Sequence, residues 1–332
     1  MTAPSALDLK PPDPQPGGFG LAGNRRTRAD SLFKGLALAS GLSVLVVLAL
    51  IAVSTTQKAW PALRAEGVGF VTGSRFAPNV DIYGALAFIS GTMIISAIAL
   101  VFAVPVSIGI ALFLSELAPR RLRQIVIYII DLLAAVPSVV FGLWGLIVLA
   151  PVMLKVYDWI ADKADPIPVL NVFFGGPVNG RSFFTAGLIL ALMITPIVTS
   201  LTREVFDTVP PGQKEAAFAL GATRWEMIRG AMFPHSRAGI IGAVMLGLGR
   251  AMGETIAAAL VIGSSARLTA HVFSSGDAMA AVIANQFGEA GGIHRSALIA
   301  MGVVLFAMTI IVNMIARAIV GAPHVAPAKG RR

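Results

Sequence analysis

Six long apolar stretches constrain this chain more than any other feature. They cover approximately residues 36–53, 85–114, 124–150, 182–201, 238–262 and 297–320. A bilayer core is about 30 Å thick, and a helix needs roughly 20 apolar residues to cross it. No alternating, strand-like pattern recurs, which argues against a membrane barrel. The sequence therefore predicts an all-α polytopic membrane protein with six transmembrane helices.

The composition agrees with a membrane protein and narrows its chemistry. Hydrophobic residues make up 56% of the chain and charged residues only 13%. The net charge is +9, but the basic residues lie in short loops at the ends of the apolar stretches, so we expect no nucleic acid partner. The chain has no cysteine, and its four histidines are scattered without ligand spacing, so we expect no metal centre.

The distribution of Lys and Arg predicts the orientation. The N-terminal tail, the loops after the second and fourth stretches and the C-terminal end together hold 17 of these residues, whereas the alternating loops hold 8. Positive residues favour the cytoplasmic side. Both termini and the loop at 202–237 are therefore predicted to lie in the cytoplasm.

The long loop at 202–237 contains a pattern of two short helices. Residues 213–220 are good helix formers, Gly221 is suited to a left-handed helix stop, and residues 223–232 can form a second helix ended by Pro234. We expect Glu215 in the first turn of the first helix, where a carboxylate interacts favourably with the helix dipole. Ala216 and Ala217 leave a shallow surface that a partner can cover. The alternative is a solvated connector in which Glu215 only caps a helix.

A charged pair lies inside the fifth apolar stretch. Arg250 is at its centre, and Glu254 follows four residues later, on the same face of a continuous helix. A guanidinium at that depth costs roughly 3 kcal/mol on insertion scales, and such residues usually serve function. We interpret the pair as a station for an anion such as phosphate or carboxylate, with an intrahelical salt bridge as the alternative. Because the pair is neutral, we expect a further cation from a partner chain.

The loop is similar to the coupling loop of bacterial ABC importer permeases, which docks into a separate ATP-hydrolysing subunit. The resemblance rests on the order Glu-Ala-Ala, three residues, Gly and a distal Pro. It implies that the docking residues are Glu215, Ala216, Ala217 and Gly221. The chain departs from the usual pattern at Ala231 and Phe233, where the family usually has Ile and Leu.

Three further segments resemble motifs of phosphate importer permeases: residues 83–86, 133–142 and 249–255. The additional N-terminal span and Trp60-Pro61 look most like the C-type subunit. The resemblance implies a type I (MetI-like) ABC importer core preceded by one extra helix. It also implies a heterodimer with a second permease, a dimer of ATP-binding subunits and an external phosphate-binding protein. Arg250 and Glu254 would line the substrate pathway.

The chain itself is expected to be a non-catalytic subunit without a cofactor. It contains no Gly-x-x-x-x-Gly-Lys-Ser/Thr sequence, so ATP would be bound by the partner ATPase subunits. The predicted organisation is a disordered cytoplasmic tail (1–30), a first transmembrane helix with an external segment (31–84), a permease core (85–320) and a cytoplasmic tail (321–332).

Three alternatives remain open from the sequence. The first is an ABC permease for another oxyanion, such as sulfate or molybdate. The second is a secondary anion transporter, which would use the same buried Arg and broken helices. The third is a membrane structural protein in which Arg250 only holds helices together.

Overall fold

The computed structural model describes residues 28–320, and most of them are helical. The predicted tails therefore fall largely outside the described residues, which exclude 1–27 and 321–332. The described residues fall into two units, with the boundary between Ile51 and Ala52. The unit boundary falls within the first helix, α1 (Arg28–Glu66), which contains Trp60 and Pro61. In the first unit, all side chains from 31 to 50 are exposed, as expected of a helix that faces lipid.

A small folded segment connects α1 to the rest of the second unit. It consists of α2 (Gly69–Thr72) and an antiparallel hairpin of β1 (Phe76–Ala77) and β2 (Ile82–Tyr83). The backbone N–H of Tyr83 donates a 3.0 Å hydrogen bond to Glu66 Oε1. The segment predicted to lie outside the membrane is thus tied to the end of α1.

Twelve further helices complete the described chain. They are α3 (Leu86–Leu112), α4 (Arg120–Ala135), α5 (Ser138–Trp144), α6 (Ala150–Ala164), α7 (Pro168–Phe174), α8 (Phe183–Asp207), α9 (Pro211–Ala219), α10 (Arg224–Met227), α11 (Phe233–Gly253), α12 (Ile256–Val261), α13 (Met279–Gln286) and α14 (Gly292–Val320). Single π-helical turns continue α3, join α5 to α6 and join α10 to α11, at Phe113–Leu117, Gly145–Leu149 and Ile228–Met232.

Within the described residues, five helical stretches are long and apolar enough to cross a membrane. They are Ser31–Glu66, Leu86–Leu117, Ser138–Ala164, Phe183–Asp207 and Gly292–Ala318. The predicted all-α membrane fold is confirmed. Two of the six predicted stretches, the third and the fifth, differ from the structure because the chain breaks inside them.

The third predicted stretch, 124–150, is not one helix. α4 ends at Ala135, Pro137 has an extended backbone (φ −60°, ψ 141°), and α5 starts at Ser138. Proline disfavours helical geometry in the residue before it, which explains the break. From the sequence, Pro105 in the second stretch and Pro137 in the third predict kinks or breaks. The chain breaks at Pro137, whereas α3 continues through Pro105. The apolar stretch that can span the membrane therefore starts at Ser138 and continues to Ala164.

The fifth predicted stretch, 238–262, breaks without a proline. α11 ends at Gly253, Glu254 is extended (ψ 128°), and α12 begins at Ile256. A Cβ at Gly142 of α5 would lie 2.9 Å from Ala257 Cα, so α5 and α12 touch at backbone distance. The short helices that follow the two breaks therefore pack against each other.

The core of the second unit forms where α8 packs against α3 and α11. Of the five membrane-length stretches, the one containing α8 is the most buried. A Cβ at Gly187 would lie 2.5 Å from Ile98 Cγ2 of α3, and one at Gly247 would lie 2.7 Å from Val198 Cγ2. Small residues let helices approach closely where lipid offers no hydrophobic drive for association. The arrangement packs α11, which carries Arg250, against the most buried of the membrane-length helices.

Candidate functional site

The loop between α8 and α11 forms two short helices joined at a glycine, as the sequence predicts. Gly221 adopts a left-handed backbone (φ +81°) directly after α9. No atom lies within 4 Å of a Cβ placed there, so backbone geometry rather than crowding favours glycine.

The start of α10 is held by a reciprocal cap. Thr223 Oγ1 accepts from the N–H of Glu226, and the Glu226 carboxylate accepts from the N–H of Thr223. The backbone N–H of Thr223 and, to a smaller extent, its hydroxyl donate hydrogen bonds to the Glu226 carboxylate and lower its pKa. The cap fixes the direction in which α10 leaves the glycine turn.

Two details of the predicted loop are wrong. α9 begins at Pro211 instead of residue 213, because proline is favoured in the first helical turn. Glu215 is consequently in the second turn of α9. The helix after Thr223 does not end at Pro234, which lies in the first turn of α11. The π-helical turn at Ile228–Met232 alters the hydrogen-bond ladder just ahead of this proline, so the chain stays helical from Arg224 to Gly253.

The predicted docking residues lie together on this loop. Glu215, Ala216 and Gly221 are exposed, while Ala217 is half-buried against the cluster that contains Phe206 and Met227. Larger apolar side chains that sequence reasoning missed are exposed beside them. Leu220 is 88% exposed, Trp225 61% and Phe218 47%. The signal that could have identified them is the presence of apolar residues inside a polar loop, since such a patch indicates a partner surface.

An ion pair connects the loop to the end of α3. Lys214 Nζ lies 2.5 Å from Glu116 Oε1, and both side chains are largely buried. Arg224 Nη1 donates a 3.3 Å hydrogen bond to the backbone oxygen of the same glutamate. Glu116 thus holds both α9 and α10. The partners are 98 and 108 residues apart, so no local sequence signal indicates the contact.

Arg250 opens onto a large cavity. It is exposed and lines a space of about 1290 Å³ that is bounded by α8, α11 and α14. The wall consists of Ile197, Ala238, Ile241, Gly242, Met245, Leu246, Gly249, Arg250, Ile310, Asn313, Met314, Arg317 and Ala318. No atom lies within 4 Å of a Cβ placed at Gly242 or at Gly249.

Glu254 does not accompany Arg250 on one helical face. Because α11 ends at Gly253, Glu254 turns to the next helix, where its Oε1 accepts a 3.3 Å hydrogen bond from the N–H of Ala257. Among residues 28–320 the two ion pairs are Arg123–Asp207 and Lys214–Glu116, so Arg250 and Glu254 form no salt bridge. The cavity therefore does not contain the expected neutral pair of Arg250 and Glu254. Its lining includes a second cation, Arg317, and no carboxylate.

One buried acid lies between α12 and α13, away from the cavity. Asp277 is 6% exposed, and its Oδ1 accepts a 2.8 Å hydrogen bond from the N–H of Ala278. Burial raises the pKa of this carboxyl to about 6, against the smaller lowering effect of that hydrogen bond. Within the described part of the chain, no group of three or more His, Asp or Glu side chains can hold a metal ion.

The membrane-length helices, the two broken helices and the exposed helix pair define a multi-pass membrane component of a transport system. Residues 103–322 match the family described as the inner membrane component of binding-protein-dependent transport systems. The chain belongs to this family and, within it, to the PstC-type permeases.

Curated relatives match nearly the whole chain. Phosphate transport system permease protein PstC of Xylella fastidiosa is 45% identical and covers 91% of this chain and 93% of its own length. The protein of the same name from Haemophilus influenzae is 43% identical, covering 88% of this chain and 93% of its own. PstC 2 of Mycobacterium tuberculosis is 42% identical, covering 89% and 92%.

Solved structures share the fold at low identity. A bacterial ABC transporter involved in importing the polysaccharide alginate aligns with a TM-score of 0.53, 18% identity and coverage of 88% of this chain and 97% of its own. The alginate transporter in complex with a substrate-bound periplasmic protein aligns with a TM-score of 0.56 at the same identity, over 89% and 97%. These likenesses support the permease fold.

Proposed function

We propose that this chain is the transmembrane permease subunit of an ATP-driven phosphate importer and forms half of the anion path. The observation that carries the proposal is its similarity, at 42–45% identity over about nine tenths of its length, to proteins named phosphate transport system permeases. Membership of a binding-protein-dependent family favours this class over a transporter driven by an ion gradient.

The importer contains three kinds of partner: a second permease, a pair of ATP-binding subunits and an external phosphate-binding protein. The family description supports the last of these, since it names a dependence on a binding protein. The absence of a Walker-type sequence supports ATP hydrolysis on separate subunits. The complex lies in the cell membrane, with the chain termini and the helix pair α9–α10 on the cytoplasmic side.

The helix pair α9–α10 docks onto an ATPase subunit. Glu215, Ala216, Ala217 and Gly221 form the docking surface, supported by the exposed Leu220 and Trp225 beside them. When ATP draws the two ATPases together, the pair moves with them as a rigid body. Because α10 continues helically into α11, this movement shifts the helix that carries Arg250.

Phosphate passes Arg250 on its way through the membrane. The guanidinium offers a planar set of N–H donors that matches phosphate oxygens. Its exposure on a cavity supports this role, because a buried structural arginine would need an acidic partner. Glu254, which was predicted to share the pathway, serves the path indirectly by capping α12 where the two broken helices meet.

The test is ATP-driven phosphate uptake by the reconstituted complex with its binding protein. The wild type should show vanadate-sensitive uptake, and Glu215→Lys should reduce both uptake and copurification of the ATPase at least tenfold. The matched control is Glu204→Lys, the same charge reversal at an exposed position on α8, which should retain uptake. Normal uptake by Glu215→Lys, or no phosphate uptake by the wild type, would contradict the proposal.

A further inference from the structure

Two polar residues of α14 line the same cavity as Arg250. Arg317 and Asn313 both lie on α14, four residues apart, and therefore on one face of that helix. The rest of the lining consists of apolar side chains and glycine. Two arginines from different helices thus meet the same open space.

Neither arginine is neutralised within residues 28–320. Both are exposed, neither takes part in an ion pair, and no Asp or Glu lines the cavity. The cavity therefore carries two positive charges, which matches the charge of hydrogen phosphate better than a neutral pair does. Uncompensated like charges facing one space repel each other, and a bound anion removes this cost.

The two arginines lie at different depths. On α11 the lining extends from Ala238 to Arg250, which at 1.5 Å per residue is about 18 Å. Arg317 lies in the last turn of α14. In the proposed topology α14 returns to the cytoplasm, so Arg317 is close to the inner side and Arg250 is deeper. An anion leaving Arg250 inward meets Arg317 next.

We propose that Arg317 and Asn313 form a second binding station for a phosphate-type oxyanion, between Arg250 and the cytoplasm. This inference rests on the proposed function, which supplies the anion and the direction. The guanidinium donates to anionic oxygens, and the Asn313 amide can both donate to an oxygen and accept from a protonated one. A weaker station after a deep one lets the anion leave in two steps.

The same chemistry also fits the phosphate of a lipid headgroup, so the experiment separates the two sources. The complex, without its binding protein, is placed in nanodiscs of phosphatidylcholine, and equilibrium binding of radiolabelled inorganic phosphate is measured. Two classes of bound phosphate are expected. Arg317→Gln should weaken the lower-affinity class about tenfold or more, because a charge-assisted contact is lost, and should leave the higher-affinity class at Arg250 in place. Arg317→Lys should lose less. Arg237→Gln, an exposed arginine of α11 outside the cavity lining, should bind as the wild type does.

A parallel arm adds phosphatidylglycerol to the nanodiscs. If this lipid abolishes phosphate binding by the wild type, the station belongs to a headgroup and the inference is overturned. A lower-affinity class that keeps its wild-type affinity in Arg317→Gln, or no phosphate binding by a complex that still imports phosphate, also overturns it. Failure of the wild-type complex to import phosphate would instead contradict the proposed function.

Discussion

Among individual residues, Asp277 has the least ordinary environment. It is the one acidic side chain in the described chain that is buried. The backbone carbonyl oxygen of Asp277 lies so close to Gly91 of α3 that a Cβ at position 91 would collide with it. Two residues further along the chain, the backbone N–H of Met279 donates a hydrogen bond to Thr92 Oγ1 of α3. The segment before α13 is therefore packed against the start of α3, and the Asp277 carboxylate is buried where the two meet.

The enclosed carboxylate makes stability depend on pH. Its pKa of about 6 in the folded protein exceeds the ordinary value of 3.8, so folding favours the protonated form. Stability is therefore full below about pH 4, falls as the pH rises to about 6, and then stays at the lower level, a loss of about 3 kcal/mol. Asp277→Asn should flatten this change and raise the unfolding temperature at pH 7.

Thermal unfolding of the purified protein at pH values between 4.5 and 7.5 checks this expectation. The asparagine retains an oxygen that can accept from the Ala278 N–H, so only the ionisation is removed. Parallel pH profiles for the wild type and Asp277→Asn would show that the buried carboxyl does not titrate in this range.

At the scale of helices, the contact of Glu116 with the loop matters most. The residue ends α3 in a π-helical turn and binds Lys214 of α9 and Arg224 of α10. A movement of the helix pair therefore reaches α3 directly, besides the continuous helix that leads to α11. Two routes from one loop to two core helices would keep the core moving as one body.

Breaking the buried ion pair should loosen this connection. Glu116→Gln keeps the shape but removes the charge, and we expect the phosphate transported per ATP hydrolysed to fall several-fold while the complex still assembles. The double variant Glu116→Lys with Lys214→Glu should recover much of the loss. Both quantities are measured in proteoliposomes.

A matched control breaks the other ion pair. Arg123–Asp207 is more exposed, with side chains 34% and 48% accessible, and surface pairs contribute about 0–1 kcal/mol. Arg123→Gln should therefore leave the transport ratio unchanged. An equal loss in this variant would assign the effect to general weakening of the loop, and an unchanged ratio in Glu116→Gln would remove the proposed connection.

Over the whole molecule, periodic and local signals predicted most of the fold. Hydropathy indicated the crossing helices, Pro137 marked a break, and Gly221 marked the turn of the loop. The break after Gly253 was missed because no proline causes it. Instead, the Glu254 carboxylate and the Thr255 hydroxyl satisfy freed backbone groups by hydrogen bonds to Ala257 and Gly253.

The parts of the site that depend on distant contacts were not predictable in the same way. The bond between Glu116 and Lys214 and the meeting of Arg250 with Arg317 require helices to be placed in space. From the sequence we expected a further cation beside Arg250, supplied by a partner chain. The structure places a second arginine of this chain, Arg317, on the same cavity, and its sequence position indicates only a positive residue at a helix end.

The orientation of the chain in the membrane is directly measurable, because the sequence contains no cysteine and single cysteines can be introduced for labelling. Thr208, exposed at the end of α8, should face the cytoplasm, and Val68, 79% exposed between α1 and α2, should face outward. A membrane-impermeant maleimide added to intact spheroplasts should label Val68→Cys strongly. It should label Thr208→Cys only after permeabilisation, because three membrane-length stretches separate the two positions. The reversed pattern would place the helix pair outside, where no ATPase can bind it.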